Sequence, residues 1–238
     1  LINFLIIATL SLVLNIFNVQ PYLSAKGINY EQLMIFCLIW GFGGAFISLA
    51  LSRIMSKWLL GVRVLDPSKT NLSETEKWLL QSTYHYCQKA GLKKMPEVGI
   101  FESSDPNAFA TGPTKNRALV AVSTGLLSHM SKDEVEGVIA HEVAHIINGD
   151  MVTMTLAQGV VNAFVMFFAR IISYFISLNV KEESRPIINF ITTIALEIAF
   201  SILAMFAISY LSRKREFKAD SGGAKLAGHK KMILALES

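Results

Sequence analysis

Apolar residues follow two regimes along this chain. Four stretches, residues 1–19, 33–51, 151–169 and 187–212, are apolar on every side, while residues 52–150 carry the mixed pattern of a water-facing domain. A helix that is apolar all round has no face to turn to water, and about 20 such residues match the hydrocarbon thickness of a bilayer. Each of the four is therefore expected to cross a membrane. The first carries no charge and only Asn3, Asn15 and Asn18 as strongly polar residues. A signal peptide is its competing reading, against which no clear small-x-small cleavage site precedes Lys26. The second contains Gly41, Gly43 and Gly44, small residues that let a neighbouring helix approach closely. The fourth is interrupted only by Glu197, at a depth similar to that of Arg170 beside the third, so the two are expected to pair.

Within residues 52–150 the periods become local. Ser73 with Glu76 forms a capping box that opens a helix to about Ala90, stopped by Gly91. Residues 98–101, 108–111 and 118–123 read as short strands of a small sheet, separated by the turns at Asp105-Pro106-Asn107 and Gly112-Pro113. A second capping box, Ser131 with Glu134, opens a helix bearing Val135, Val138, Ile139, Ile146 and Ile147 that ends at Gly149.

Composition narrows the class. Charged residues make up 17% of the chain and mean hydropathy is +0.44, against about 25% charged in a soluble domain. Setting four spans aside brings the remainder to about 25%. A wholly soluble globule and a disordered chain are disfavoured, and a net charge of +4 is too small and too spread out for a nucleic-acid-binding module. Cys37 lies in an apolar stretch and Cys87 in a helix read as water-facing, with no second thiol near either, which implies no disulfide framework and a reducing compartment.

The candidate chemistry lies in His141-Glu142-Val143-Ala144-His145. Histidines at i and i+4 stand on one helix face and can reach a single zinc ion, while Glu142 can take a proton from water activated there. A third ligand is needed. Asn148 and Met151 exclude the metzincin continuation, leaving Asp150, Glu182, Glu183, Glu197 and Glu216. The third and fourth stretches form a membrane hairpin, so residues after Arg213 return to the side of His141. Glu182 and Glu183 fall on the opposite side and Glu197 within the bilayer, which favours Glu216. Asp220, one turn later, suits the far nitrogen of a ligand histidine. The competing reading of 213–220 is a plain basic juxtamembrane stretch. His85, His129 and His229 each stand alone and are assigned ordinary structural or solvated roles. Arg53, Lys57, Arg63, Arg213, Lys214, Arg215 and Lys218 outweigh Lys26 and the mixed loop 181–185, which places the zinc-bearing side in the cytoplasm.

His141 to His145, Asn107-Ala-Phe-Ala-Thr-Gly112, Asn148-Gly-Asp150 and Glu216-Phe-Lys-Ala-Asp220 together resemble the HtpX family of bacterial membrane zinc endopeptidases, related to the CAAX prenyl endopeptidases. The resemblance spans nearly the whole chain. It implies an α+β zincin-like (gluzincin) catalytic domain combined with four transmembrane helices, mostly α overall. One zinc ion per chain would sit on His141, His145 and Glu216, with Glu142 as general base and misfolded or membrane polypeptides as substrates at the bacterial inner membrane. It also implies a further segment with a His-Pro pair beyond Ser238. The expected organisation is a transmembrane hairpin over 1–52, a cytoplasmic domain over 53–150, a second hairpin over 151–212 and a helix over 213–238 that completes the site. Asn107, Ala108, Phe109, Ala110 and Thr111 are the expected substrate edge, a strand bordering the active-site helix. Two readings compete with the enzyme. A silent membrane scaffold or chaperone with a structural zinc would need four protein ligands and no Glu142. A transporter, suggested by Arg170 and Glu197, would show repeats or several intramembrane charges.

Overall fold

The computed structural model describes residues 23–24 and 27–238, and the first apolar stretch lies outside them. Along the chain the elements are β1 (Leu23–Ser24), β2 (Gly27–Ile28), α1 (Tyr30–Leu59), β3 (Arg63–Val64), α2 (Glu74–Lys89), β4 (Glu97–Phe101), β5 (Ala108–Thr111), β6 (Leu119–Ser123), α3 (Thr124–His129), α4 (Lys132–Asn148), α5 (Asp150–Ser177), α6 (Arg185–Ala227) and α7 (His229–Glu237). The chain is mostly helical and divides into two compact units, one of residues up to Ser48 with Met154–Leu211, the other of Leu49–Thr153 with Ser212–Ser238.

Among the described residues, α1, α5 and the stretch Glu182–Ala227 are long and apolar enough to cross a membrane. They cover the second, third and fourth apolar stretches. Leu33, Cys37 and Ala163 are buried where α1 meets α5. Gly41 is required at that crossing, because a Cβ there would stand 2.7 Å from the Ala163 nitrogen and 2.8 Å from the Gly159 oxygen. Arg170 of α5 pairs with Glu197 of α6 and lies over the Phe36 ring, 5.3 Å from its centroid.

The second unit is built on a four-stranded sheet of order β3-β4-β6-β5. Its centre is the parallel pair β4 and β6, with Val98 opposite Val120, and both outer pairings are antiparallel. All five residues of β6 are buried, as expected of a strand covered on both faces. Val120 and Val122 face a core shared with Leu79, Ile139, Val143 and Ile146 of α2 and α4, while Leu119 and Ala121 pack with Val62 and Phe101. Both capping boxes are present, with Ser73 and Ser131 as N-caps, and α4 ends at Gly149 in the left-handed region, φ 72°. The two-residue β3 was not foreseen, and β4 and β6 begin one residue from the expected positions. Cys87 corrects an expectation as well. The helix read as water-facing turns Leu79, Leu80, Thr83, Tyr86 and Cys87 inward on one stripe, and the thiol is fully buried. That burial pushes its pKa up to about 12.

Candidate active site

Helix α4 sets His141 and His145 one turn apart on one face, with their Nε2 atoms 3.0 Å from each other. From α6, Glu216 brings Oε2 to 3.3 Å from His141 Nε2 and 3.4 Å from His145 Nε2. Two glycines permit this approach. A Cβ on Gly222 would meet the Ala144 Cβ at 2.7 Å, and one on Gly223 would lie 3.1 Å from the His141 backbone nitrogen. All these residues belong to the second unit.

The donor set fits a metal ion. His145 Nδ1 lies 2.6 Å from Asp150 Oδ2 and must carry the proton of that hydrogen bond, which leaves a lone pair on Nε2. A carboxylate oxygen and imidazole lone pairs converging at 3.0–3.4 Å repel one another unless a cation lies among them. Those separations match the roughly 3.3 Å edge of a tetrahedron with bonds of about 2.0–2.1 Å, the lengths zinc makes to nitrogen and oxygen.

Behind the two histidines stand two carboxylates. Asp220 Oδ1 is 2.9 Å from His141 Nδ1, a close approach without an aligned hydrogen bond. Asp150 is buried, hydrogen-bonded to His145 and ion-paired with Arg215. Sequence reasoning weighed Asp150 only as a ligand and Arg215 only as a membrane-side charge. The local signal for Asp150 was the glycine at the helix exit, which turns the next residue back toward the last turn of α4.

Glu142 lies beside the triad, and burial raises its carboxyl pKa against the lowering pull of His141 and His145 and of a hydrogen bond from the Ala110 backbone. That bond fixes the relation of α4 to β5, the strand at one edge of the sheet. The Ser123 amide donates to the Asn107 carbonyl at 2.8 Å. Antiparallel alternation therefore turns the backbone groups of 107, 109 and 111 toward β6 and those of Ala108 and Ala110 outward. The Phe109 ring packs against Phe101, 5.5 Å between centroids, and Asn107 is exposed. Of the other acidic candidates, Glu182 pairs with Arg185 and Glu197 with Arg170. His85, His129 and His229 are exposed.

A family model described as Peptidase family M48 matches residues 73–236. The chain is 54% identical over 241 residues to a protein named protease HtpX homolog of Bacillus licheniformis, covering 99% of this chain and 81% of that one. It is 52% identical over 243 residues to the protein of that name in Bacillus subtilis, covering 100% and 82%. With protease HtpX of Thioalkalivibrio sulfidiphilus the identity is 51% over 239 residues, covering 99% and 80%. Its backbone resembles the crystal structure of S. mikatae Ste24p with a TM-score of 0.66 at 19% identity, over 99% of this chain and 54% of that chain, a likeness of fold.

Proposed function

Because this chain belongs to peptidase family M48 and is a metalloprotease, we propose that His141, His145 and Glu216 hold one zinc ion per chain and that Glu142 is the general base of peptide-bond hydrolysis. This is the arrangement of a gluzincin. The observation that carries the reading is the convergence of one carboxylate oxygen and two imidazole nitrogens at 3.0–3.4 Å beside the half-buried carboxylate of Glu142. A zinc ion bound there supplies Lewis acidity, polarising the scissile carbonyl and bringing the pKa of adjacent water toward neutrality.

The protein's own groups do the rest. Glu142 accepts the proton of the attacking water and delivers it to the leaving amine nitrogen. The Ala110 amide holds the carboxylate in place. An extended polypeptide adds as a strand along residues Asn107 to Thr111, pairing with the outward backbone groups of β5. Such pairing tolerates many sequences, as a quality-control protease acting on misfolded or membrane polypeptides requires. With residues 1–19 as a fourth span, the excess of Arg and Lys around 53–63 and 213–218 puts the catalytic unit on the cytoplasmic face of a bacterial inner membrane.

The test uses the full chain in detergent with a denatured protein as substrate. Glu142→Gln keeps the shape of the side chain and removes its basicity, so cleavage is expected to fall at least 100-fold while zinc content stays near one per chain, and chelation should abolish cleavage by the parent. Full activity of the Gln variant would remove Glu142 from the mechanism.

A further inference from the structure

The carboxylates behind the two ligand histidines are held in different ways. Asp220 is an approach without an aligned hydrogen bond, its side chain 29% exposed. Asp150 has both oxygens engaged, Oδ2 with His145 Nδ1 at 2.6 Å and Oδ1 with the Arg215 guanidinium, and its side chain is 8% exposed. It is the first residue of α5, where free amides favour an anion. We propose that Asp150, clamped by Arg215, is the positioning residue that aims His145 at the metal, and that the neighbours Arg215 and Glu216 close the site together, one from behind the second ligand and one from in front. The inference rests on the zinc reading above and goes beyond it.

The physical case is one of degrees of freedom. A carboxylate bound at one oxygen can swing about its last torsion, carrying the imidazole with it. A carboxylate bound at both cannot. The His145 ring is thus fixed with the proton on Nδ1 and the Nε2 lone pair facing Glu216 Oε2. Successive helical residues point about 100° apart, which is how a single turn of α6 reaches both the metal position and the Asp150 carboxylate. A buried carboxylate that lost its guanidinium would carry a large desolvation cost, so Arg215 is needed for Asp150 to remain where it is.

Zinc affinity of the full chain in detergent, measured by competition with a chelator of known strength, separates the possibilities. Asp150→Asn, which keeps the shape, is expected to weaken zinc binding 10–100-fold, and Arg215→Met should act in the same direction. The double variant should be no weaker than the weaker single one, because the two residues act as a unit. Asp220→Asn should weaken binding less than Asp150→Asn. Arg215→Lys, which restores a cation, should recover part of the loss. The thermal midpoint of each metal-free variant is the companion readout, since a merely structural role lowers it and leaves affinity unchanged. A parent chain that binds no zinc would remove the metal reading and this inference with it. A parent that binds one zinc, with Asp150→Asn and Arg215→Met holding it as tightly, would overturn the clamp alone. Additive losses in the double variant would likewise overturn the joint action.

Discussion

Ala108 and Ala110 are chemically identical neighbours on β5, and their backbone amides are committed differently. Both face away from β6, but the Ala110 amide donates to Glu142, whereas that of Ala108 would pair with the incoming strand under the strand-addition proposal. Proline removes one donor and is tolerated at a sheet edge. Ala108→Pro should therefore raise KM for an unfolded polypeptide severalfold with kcat nearly unchanged, whereas Ala110→Pro should lower kcat by freeing the general base. Steady-state kinetics on the two variants checks this, and equal effects on KM alone would show that the Ala110 amide does not serve Glu142. The residues legible in the sequence are those whose relation is local. His141, Glu142 and His145 are fixed by one helix turn, and Glu216 was reached by counting membrane crossings. In the sequence Asp150 and Arg215 stand only as single charges. Their pairing spans 65 residues, and no period or spacing encodes it.

At the scale of elements, the site depends on how closely α6 lies on α4. Glycine in a helix interior costs about 1 kcal/mol relative to alanine, so Gly222 and Gly223 are retained against propensity, and the contacts with Ala144 and His141 give the reason. Gly222→Leu should destabilise the catalytic unit by about 1–3 kcal/mol through overpacking and lower zinc retention, because Glu216 and Asp220 ride on the displaced helix. Ser221→Leu, exposed on the same turn, is the control and should leave both unchanged. Thermal melting and bound zinc per chain read the difference, and equal zinc retention in the two variants would show that the helix contact does not set the site. The helices α2 and α4 were legible to within a residue or two because their caps are local signals, Ser with Glu three later and Gly at the exit. Strand β3 was not, since Arg63 and Val64 acquire their structure only by pairing with Ile100 and Gly99. The edge position of β5 is likewise a property of strand order, which the strand itself does not carry.

At the scale of the whole molecule, the two units have different requirements. The hairpin carries the Arg170–Glu197 pair between α5 and α6, and removing one member leaves the other charge unmatched in an apolar setting. Glu197→Gln should lower the melting temperature in detergent by several degrees while leaving bound zinc and the cleavage rate of a soluble peptide within about twofold, given sites this distinct. Lost turnover at unchanged stability would make this carboxylate part of the mechanism. The expected pairing was legible from helix rise alone, because two antiparallel helices turn residue counts into depths. Helix α6 runs unbroken for 43 residues from the apolar stretch to beyond Asp220, and this has a consequence for how the molecule comes into being. On the ribosome His141 and His145 are made first, and about 70 more residues must follow before Glu216 exists. At ~5–20 residues per second that interval lasts on the order of several seconds. Throughout it the nascent chain holds two of the three proposed ligands, and the third is made only after the apolar stretch 187–212. If those three residues hold the metal, as proposed above, a complete ligand set cannot exist before the membrane hairpin has been made.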